Sequence, residues 1–330
     1  MKIAINGFGR IGREILKIAL ERKIKISAIN DPGDIENAAY LLQYDSVYGK
    51  FKGTIKTQGK DTLIINNQKI HFLSERDASK LPWKKLGIDL IIESSGFYTK
   101  RDDAKKHIFA GAKKVIISAP GEDSDITVVP GVNENLLKRT HEIISVASCT
   151  TNAAAPVLKV LNDSFGIKRA MLTTIHAYTN SQSLIDRSDK KFRRGRAGAI
   201  NIIPTSTGAS EAVCLVMPVL KDKLSGQSIR VPIADGSLID LTVELNKPVT
   251  REQINKSFKR ASEDALAGIM QYTEDQIVSS DIIGNPNSTI IDGLSTASLG
   301  SLIKVLSWYD NEYGYSNRVL DVIEILEKMK

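Results

Sequence analysis

The chain has 330 residues, 42% of them hydrophobic, with two cysteines and a formal net charge of +7. That length exceeds one comfortable core and predicts two domains, while two cysteines in unrelated segments exclude a disulfide scaffold and fit a reducing compartment. With no signal-peptide core and no apolar run of about 18 residues, the reading is a soluble, cytoplasmic protein with no membrane partner; the positive charge suits phosphorylated small molecules or nucleic acid, or is only a solvated surface.

In chain order, "KIAING" predicts a strand, "RIGREILKIALER" a helix by its apolar spacing, and "KISAIND" a second strand. This βαβ unit encloses Gly7, Gly9 and Gly12 as G-x-G-x-x-G, and Asp31 lies nineteen positions beyond Gly12. In that context the glycines let the backbone approach a pyrophosphate at the helix N-terminus, and Asp31 can accept from a ribose hydroxyl. Strands are expected at "TLIIN", "DLIIESSG", "KKVIISAP", "ITVVPG" and "EIISVAS", with a helix over "KRDDAKKHIFAGA". Past Cys149 the texture changes to long alternating strands, "RAMLTTIHA", "SIRVPIADGSLIDLTVEL" and "SLIKVLSWYD", interrupted by a helix near "TREQINKSFKRASEDAL". These predict an α+β domain on a mostly antiparallel sheet. The closing "YGYSNRVLDVIEILEKMK" reads as an amphipathic helix packed back on a domain face, and Cys214, in "EAVCLVMPVL", as a buried structural thiol.

Cys149 follows a hydrophobic run and precedes a helical stretch, so its sulfur would sit at a helix N-terminus, where dipole and amides favour a thiolate. Pro156 falls inside that stretch and is expected to kink it or to mark its effective first turn. Taken alone, such a cysteine is as readily a plain junction residue. His176, at a strand end in "TTIHAYTN", could draw the thiol proton and later donate to an oxyanion, or make only a structural hydrogen bond. Asn152, Thr150 and "IIPTSTG" add hydroxyls and amides suited to phosphate oxygens, and Arg194 and Arg230 could add charge.

"INGFGRIGR", "YDSVYGKF", "ERDASKLPW", "ASCTTN", "TTIHAYTN", "NIIPTSTGA", "RVP", "IVSSDIIGNP" and "SWYDNEYGYSNR" together resemble the phosphorylating glyceraldehyde-3-phosphate dehydrogenases, from end to end. The resemblance implies an α/β fold, a Rossmann-type doubly wound parallel sheet domain (1–148 and 314–330) plus an α+β catalytic domain with a mostly antiparallel sheet (149–313). It implies oxidation of glyceraldehyde 3-phosphate by NAD or NADP, with inorganic phosphate taking up the acyl group, in either the glycolytic or the gluconeogenic direction, with Cys149 as nucleophile and His176 as its base. Thr179 and Arg230 would hold the substrate phosphate; Ser148, Thr150, Thr207, Gly208 and Arg194 would hold the attacking phosphate. Arg10 and Ile11 would offer amides to the pyrophosphate; Arg76, Ser95, Gly96 and Ser118 would line the adenine and ribose side; Asn311 and Tyr315 would hold the nicotinamide. The family assembles as a homotetramer, with the loop near 178–200 reaching a neighbouring subunit's cofactor.

Three departures stand out. Ala153 replaces a second cysteine, which excludes an intramolecular disulfide there. Gly195 and Gly198 replace the usual alanines and are expected to loosen their loop slightly. Arg187 and Ser188 stand where strict NAD users carry Leu-Pro, and "NDPGD" resembles the NADP-using branch; Asp31 would oppose a 2′-phosphate by about 1–4 kcal/mol. Dual use of NAD and NADP is therefore expected. The competing readings are erythrose-4-phosphate dehydrogenase, with the same Cys–His chemistry, and an RNA-binding protein using the basic loop "DKKFRRGRAG", which has no aromatic stacking motif beside it.

Overall fold

In the computed structural model, which describes residues 1–329, the first run forms the strand Ile3–Asn6, the helix Arg10–Glu21 and the strand Ile26–Asn30. Two compact units result. The first comprises Met1–Val128, Asn135–Ala147 and the chain from Ser316 on; the second comprises Val129–Glu134 and Ser148–Tyr315.

The first unit is built on a nine-stranded sheet. Six parallel pairings run from Ile126–Thr127 through Ile143–Ser145, Lys114–Ile117, Leu90–Glu93, Ile3–Asn6 and Ile26–Asn30 to Gln68–Leu73; Thr62–Ile65 and Ile55–Gln58 add an antiparallel edge. The strand order reverses at Ile3–Asn6, which has Ile26–Asn30 on one side and Leu90–Glu93 on the other. In doubly wound sheets ligands bind at such a switch point, beyond the carboxyl ends of the strands. The parallel strands read as continuous apolar runs because both faces are covered: Ile3, Ile5, Ile29, Ile91, Ile92, Ile116 and Ile117 are all buried. The closing helix, Tyr313–Lys328, buries Val319, Leu320, Val322 and Ile323. Arg22 holds it by donating to Asp321 Oδ1 at 2.6 Å, and the terminal amine of Met1 donates to Glu327 at 2.8 Å.

The second unit carries an eight-stranded, mostly antiparallel sheet, in which only Ile167–Ala177 with Leu224–Val231 and Met270–Thr273 with Thr289–Asp292 pair in parallel. Strand Ser237–Leu245 alternates buried and half-buried residues throughout, as expected of a sheet with one face on a core. Helix Cys149–Phe165 is buried from Thr150 to Leu158, where Ala153, Ala154 and Ala155 allow close approach. Helix Arg251–Glu263 opens with a Thr250–Gln253 capping box.

Several expectations are corrected. The run 228–245 is two strands, because Asp235 and Gly236, the latter at φ +85°, turn the chain between Val231 and Ser237. "ITVVPG" contributes only Ile126–Thr127, and "EIISVAS" stops pairing at Ser145. The helix after Ser148 runs through Pro156 without interruption: burial of its first turns outweighs the missing amide. Cys214 is half-buried, its Sγ 3.4 Å from the Leu220 carbonyl, on a helix, Ala209–Val216, whose outer face leaves Leu215 exposed. No helix among the described residues is long and apolar enough to cross a membrane.

Candidate active site

Cys149 is the first residue of the helix Cys149–Phe165, and Ser148 caps it: its Oγ accepts from Thr151 N at 3.0 Å. Ala147 just upstream has φ +54°, a left-handed conformation that costs a non-glycine residue roughly 1–2 kcal/mol and turns the chain sharply into the helix. Cys149 keeps part of its surface open. His176 lies one residue from the end of strand Ile167–Ala177, and its Nε2 is 3.4 Å from Cys149 Sγ.

The carbonyl of Ala177 favours one tautomer of the imidazole. It only accepts, and it lies 2.7 Å from His176 Nδ1 and 2.8 Å from Arg230 Nη1. Assigning the proton to Nδ1 leaves the Nε2 lone pair facing sulfur, while Arg230 Nη1, also 2.8 Å from Nδ1, donates to the carbonyl. Arg230 reaches this point because the parallel register pairs it with His176 across neighbouring strands. Its Nε is buried with no partner among the described residues.

Burial pushes the Cys149 thiol above its ordinary range, with Arg230 and the Thr150 contact pulling it back. Burial, then the charge of Arg230, pushes His176 down to about 3, and Arg194 adds to the same effect. The resting imidazole is thus neutral. The ring of Tyr309 meets His176 edge-on at 5.9 Å, and its hydroxyl bridges Thr150 Oγ1 at 3.0 Å and Thr174 Oγ1 at 2.8 Å. Burial raises this phenol, so it stays protonated. Sequence reasoning passed over both residues. Thr174 could have been found by the two-residue period that puts it on the same strand face as His176; Tyr309 comes from a segment far along the chain.

The phosphate residues expected from the sequence have partners of their own. Arg194 Nε donates to Thr205 Oγ1 at 3.0 Å, Thr207 Oγ1 accepts from Ala209 N at 3.1 Å, and Thr179 Oγ1 lies 2.9 Å from Ser181 Oγ. Gly208 is the N-cap of Ala209–Val216 and has no side chain to cap it. Ser237 Oγ donates to Asn311 Oδ1 at 2.6 Å, and Asn311 and Tyr315 are both buried. Gly195 tightens its loop instead of loosening it: Arg187 N donates to its carbonyl at 2.8 Å, and a Cβ there would stand 2.2 Å from the Arg187 carbonyl. Gly198 abuts Gln182, while Arg187 and Ser188 are exposed. Ala153 is fully buried, so the position of the missing thiol is part of the core. The basic loop does carry an aromatic: Phe192 is exposed within it, while Arg196 is paired with Asp186 at 2.7 Å. A cavity of about 780 Å³ lies between Cys149–Phe165 and Arg251–Glu263, and none of these residues lines it.

In the first unit, Gly7 has φ +92° and a Cβ there would stand 2.4 Å from Ser95 N; a Cβ at Gly12 would stand 2.2 Å from the Gly7 carbonyl. Gly9 caps Arg10–Glu21 without a side chain, the first turn holds no acidic residue, and a Cβ at Gly9 would meet nothing within 4 Å. This open, positive helix end fits a pyrophosphate. Arg10 and Ile11 occupy its first two positions. Asp31 accepts from Phe8 N and Gly33 N, each at 2.8 Å, which orients its carboxylate beside the same turn. Ser95 and Gly96 follow strand Leu90–Glu93, Ser118 Oγ donates to the Glu93 carbonyl at 3.0 Å, and the Arg76 side chain is exposed. Phe97, exposed next to Gly96, is an aromatic surface that the sequence reading did not select.

A doubly wound sheet with a glycine turn at its switch point, in a chain that also holds a helix-start cysteine within reach of an imidazole, is the arrangement of a dinucleotide-dependent oxidoreductase. Residues 1–101 match the family model "Glyceraldehyde 3-phosphate dehydrogenase, NAD binding domain", and residues 148–311 match "Glyceraldehyde 3-phosphate dehydrogenase, C-terminal domain". The chain is 53% identical over 331 residues to glyceraldehyde-3-phosphate dehydrogenase 1 of Bacillus subtilis (strain 168), covering 99% of this chain and 98% of that one. It is 53% identical over 329 residues to the glyceraldehyde-3-phosphate dehydrogenase of Priestia megaterium, with 99% and 98% covered. To that of Borreliella burgdorferi it is 50% identical over 336 residues, with 99% and 100% covered. The chain belongs to the glyceraldehyde-3-phosphate dehydrogenase family, and its N-terminal unit is an NAD-binding domain.

Proposed function

We propose that this chain oxidises glyceraldehyde 3-phosphate to 1,3-bisphosphoglycerate, consuming inorganic phosphate and reducing NAD. The observation that carries the reading is the 3.4 Å approach of Cys149 Sγ to His176 Nε2 beside Arg230, in a chain about half identical to enzymes of that name. Cofactor binding belongs to 1–148 and 314–330, and catalysis to 149–313.

His176 Nε2 takes the thiol proton as Cys149 sulfur bonds to the aldehyde carbon. The protonated imidazole then donates to the developing oxyanion, charge stabilisation that a preformed donor provides without reorganisation. Bound NAD supplies the hydride acceptor. As hydride leaves, His176 removes the hydroxyl proton of the hemithioacetal, so Cys149 holds a thioester. An inorganic phosphate oxygen attacks its carbonyl carbon, and the carbon–sulfur bond breaks to return the thiolate. Arg230, whose Nε has no partner among the described residues, and Thr179 hold the substrate phosphate; Arg194, Ser148, Thr150, Thr207 and Gly208 hold the attacking one. Gly7, Gly9, Arg10, Ile11 and Gly12 cradle the pyrophosphate; Asp31, Arg76, Ser95, Gly96 and Ser118 take the adenosine; Asn311 and Tyr315 take the nicotinamide.

The decisive assay follows nicotinamide reduction with glyceraldehyde 3-phosphate, with NAD or NADP, each with and without phosphate. Phosphate-dependent reduction is expected, with the two cofactors' kcat/KM values within about a hundredfold. That ratio reflects Arg187 and Ser188 offsetting Asp31, whose repulsion of a 2′-phosphate is about 1–4 kcal/mol. A wider gap sinks dual use alone. No turnover of this aldehyde, or phosphate-independent turnover of erythrose 4-phosphate, sinks the main reading.

The active species is a homotetramer. Leu184, Ile185, Phe192, Ile200 and Ile202 are each at least 70% exposed, and a run of apolar side chains of this kind marks an association surface. Light scattering on eluting protein should give four times the chain mass; a monomer at micromolar concentration would refute this. RNA is the lesser alternative for the same loop, because Arg196 is already paired with Asp186, and Lys191 and Arg194 already donate to Ser206 and Thr205.

A further inference from the structure

Glu93, at the carboxyl end of its strand, is 2% exposed and has no part in the chemistry above. Its Oε2 accepts from Asn6 Nδ2 at 2.6 Å and lies 2.9 Å from His107 Nε2; its Oε1 accepts from Ser95 N at 2.7 Å and from Ser95 Oγ. Trp83 decides the direction of the imidazole contact. Its Nε1–H points at His107 Nδ1 at 3.0 Å, so that nitrogen accepts and the ring proton sits on Nε2, aimed at Glu93. Four groups therefore donate to the two carboxyl oxygens of Glu93. The side chain is buried.

Beyond Asn6 the chain of bonds continues. Asn6 Oδ1 accepts from Asn30 Nδ2 at 2.7 Å, and Asn30 clasps the backbone of Glu75 through its Nδ2 at 2.8 Å and its Oδ1 at 2.9 Å. One network thus ties together the carboxyl ends of Ile3–Asn6, Ile26–Asn30, Gln68–Leu73 and Leu90–Glu93. Those ends give rise to Gly7, Asp31, Arg76 and Ser95, one cofactor residue from each strand. The Ser95 turn that Glu93 grips is also the backbone that forbids a Cβ at Gly7.

We propose that Glu93 is a positioning residue for the dinucleotide: anchored by Asn6 and by the Trp83–His107 pair, it clamps the Ser95–Gly96 turn against Gly7 and so sets the shape of the pyrophosphate cradle. This rests on the reading that the first unit holds NAD. A carboxylate accepts on both oxygens, whereas an amide in its place turns a donor towards either the Ser95 amide or the Asn6 and His107 donors. A buried polar group left facing its own kind is costly, and networks of this type lose geometry together.

The test is calorimetric titration of the full chain with NAD, comparing wild type, Glu93→Gln and Asn6→Ala. Glu93→Gln should weaken NAD binding by about tenfold or more, the loss expected when one buried polar contact is left unmade. KM for NAD should rise in parallel, with kcat at saturating NAD within about threefold and cofactor-free alkylation of Cys149 by iodoacetamide unchanged. Asn6→Ala, which keeps the carboxylate and its grip on Ser95, should show a smaller loss of the same kind, and it carries the test if Glu93→Gln does not fold. Unchanged NAD affinity in a folded variant overturns the proposal, as does a loss matched by equal loss of alkylation and of kcat, the mark of general loosening. If the affinities change as expected while wild type fails to oxidise glyceraldehyde 3-phosphate, the catalytic reading falls and the positioning role stands.

Discussion

Cys149→Ser should fold as wild type, bind NAD normally and lose phosphate-dependent aldehyde oxidation by a factor of about 10⁴ or more. The fold should survive because position 149 opens the helix, where Ser148 caps through its own Oγ and Thr150 to Leu158 provide the buried surface. The chemistry should not. A hydroxyl is far less acidic than a thiol, so the 3.4 Å partnership with His176 that can deliver a sulfur nucleophile delivers almost no alkoxide. An oxygen ester also lacks the thioester's reactivity toward phosphate. The measurement is NAD reduction by the variant at matched thermal stability, with NAD titration as control; residual turnover within tenfold of wild type would remove Cys149 from the mechanism.

The second large effect is expected at His176. Replacing it by asparagine keeps a short polar side chain but no base, and kcat should fall by about 10²–10⁴, the usual worth of a positioned general base. The thiol itself reports the same change. Burial raises Cys149 above its ordinary range, and a thiol with a raised pKa is protonated below that value and reactive only above it. Without the imidazole to receive its proton, alkylation by iodoacetamide near pH 7 should drop by about tenfold or more and climb steadily with pH through the alkaline range. His176 in the wild type is pushed down to about 3, so its Nε2 lone pair is available across the neutral range. An alkylation profile identical to wild type would mean that the 3.4 Å contact is spectator geometry.

These two predictions concern residues that could be read from local pattern, and the reason is physical. The glycine turn is a short-range object: Gly7, Gly9 and Gly12 lie between a strand and a helix whose periodicities are visible in the sequence, and the steric need of Gly7 and Gly12 is met within ten residues and one neighbouring strand. The helix start at Cys149 is also local, since apolar run, Ser148 cap and helical stretch are contiguous. What misled the local reading were cases where neighbours outvote propensity. Pro156 sits inside an unbroken helix because that helix is buried, and Cys214 lies half-exposed on a helix that reads only as an apolar run.

The amino-acid order by itself determined the two-domain α/β plan, the glycine turn, and the cysteine and histidine proposed as nucleophile and base, because each depends on spacing along a few residues or on motifs carried whole. Only the tertiary structure decided what surrounds them. Arg230 meets His176 from 54 residues away through a parallel register, Tyr309 reaches Thr150 across 159, and Glu93 gathers Asn6 from 87 residues away. Such pairings follow from which strands share a sheet and in what register. Packing of the whole core selects that register, and no short stretch of chain carries enough free energy to choose it alone.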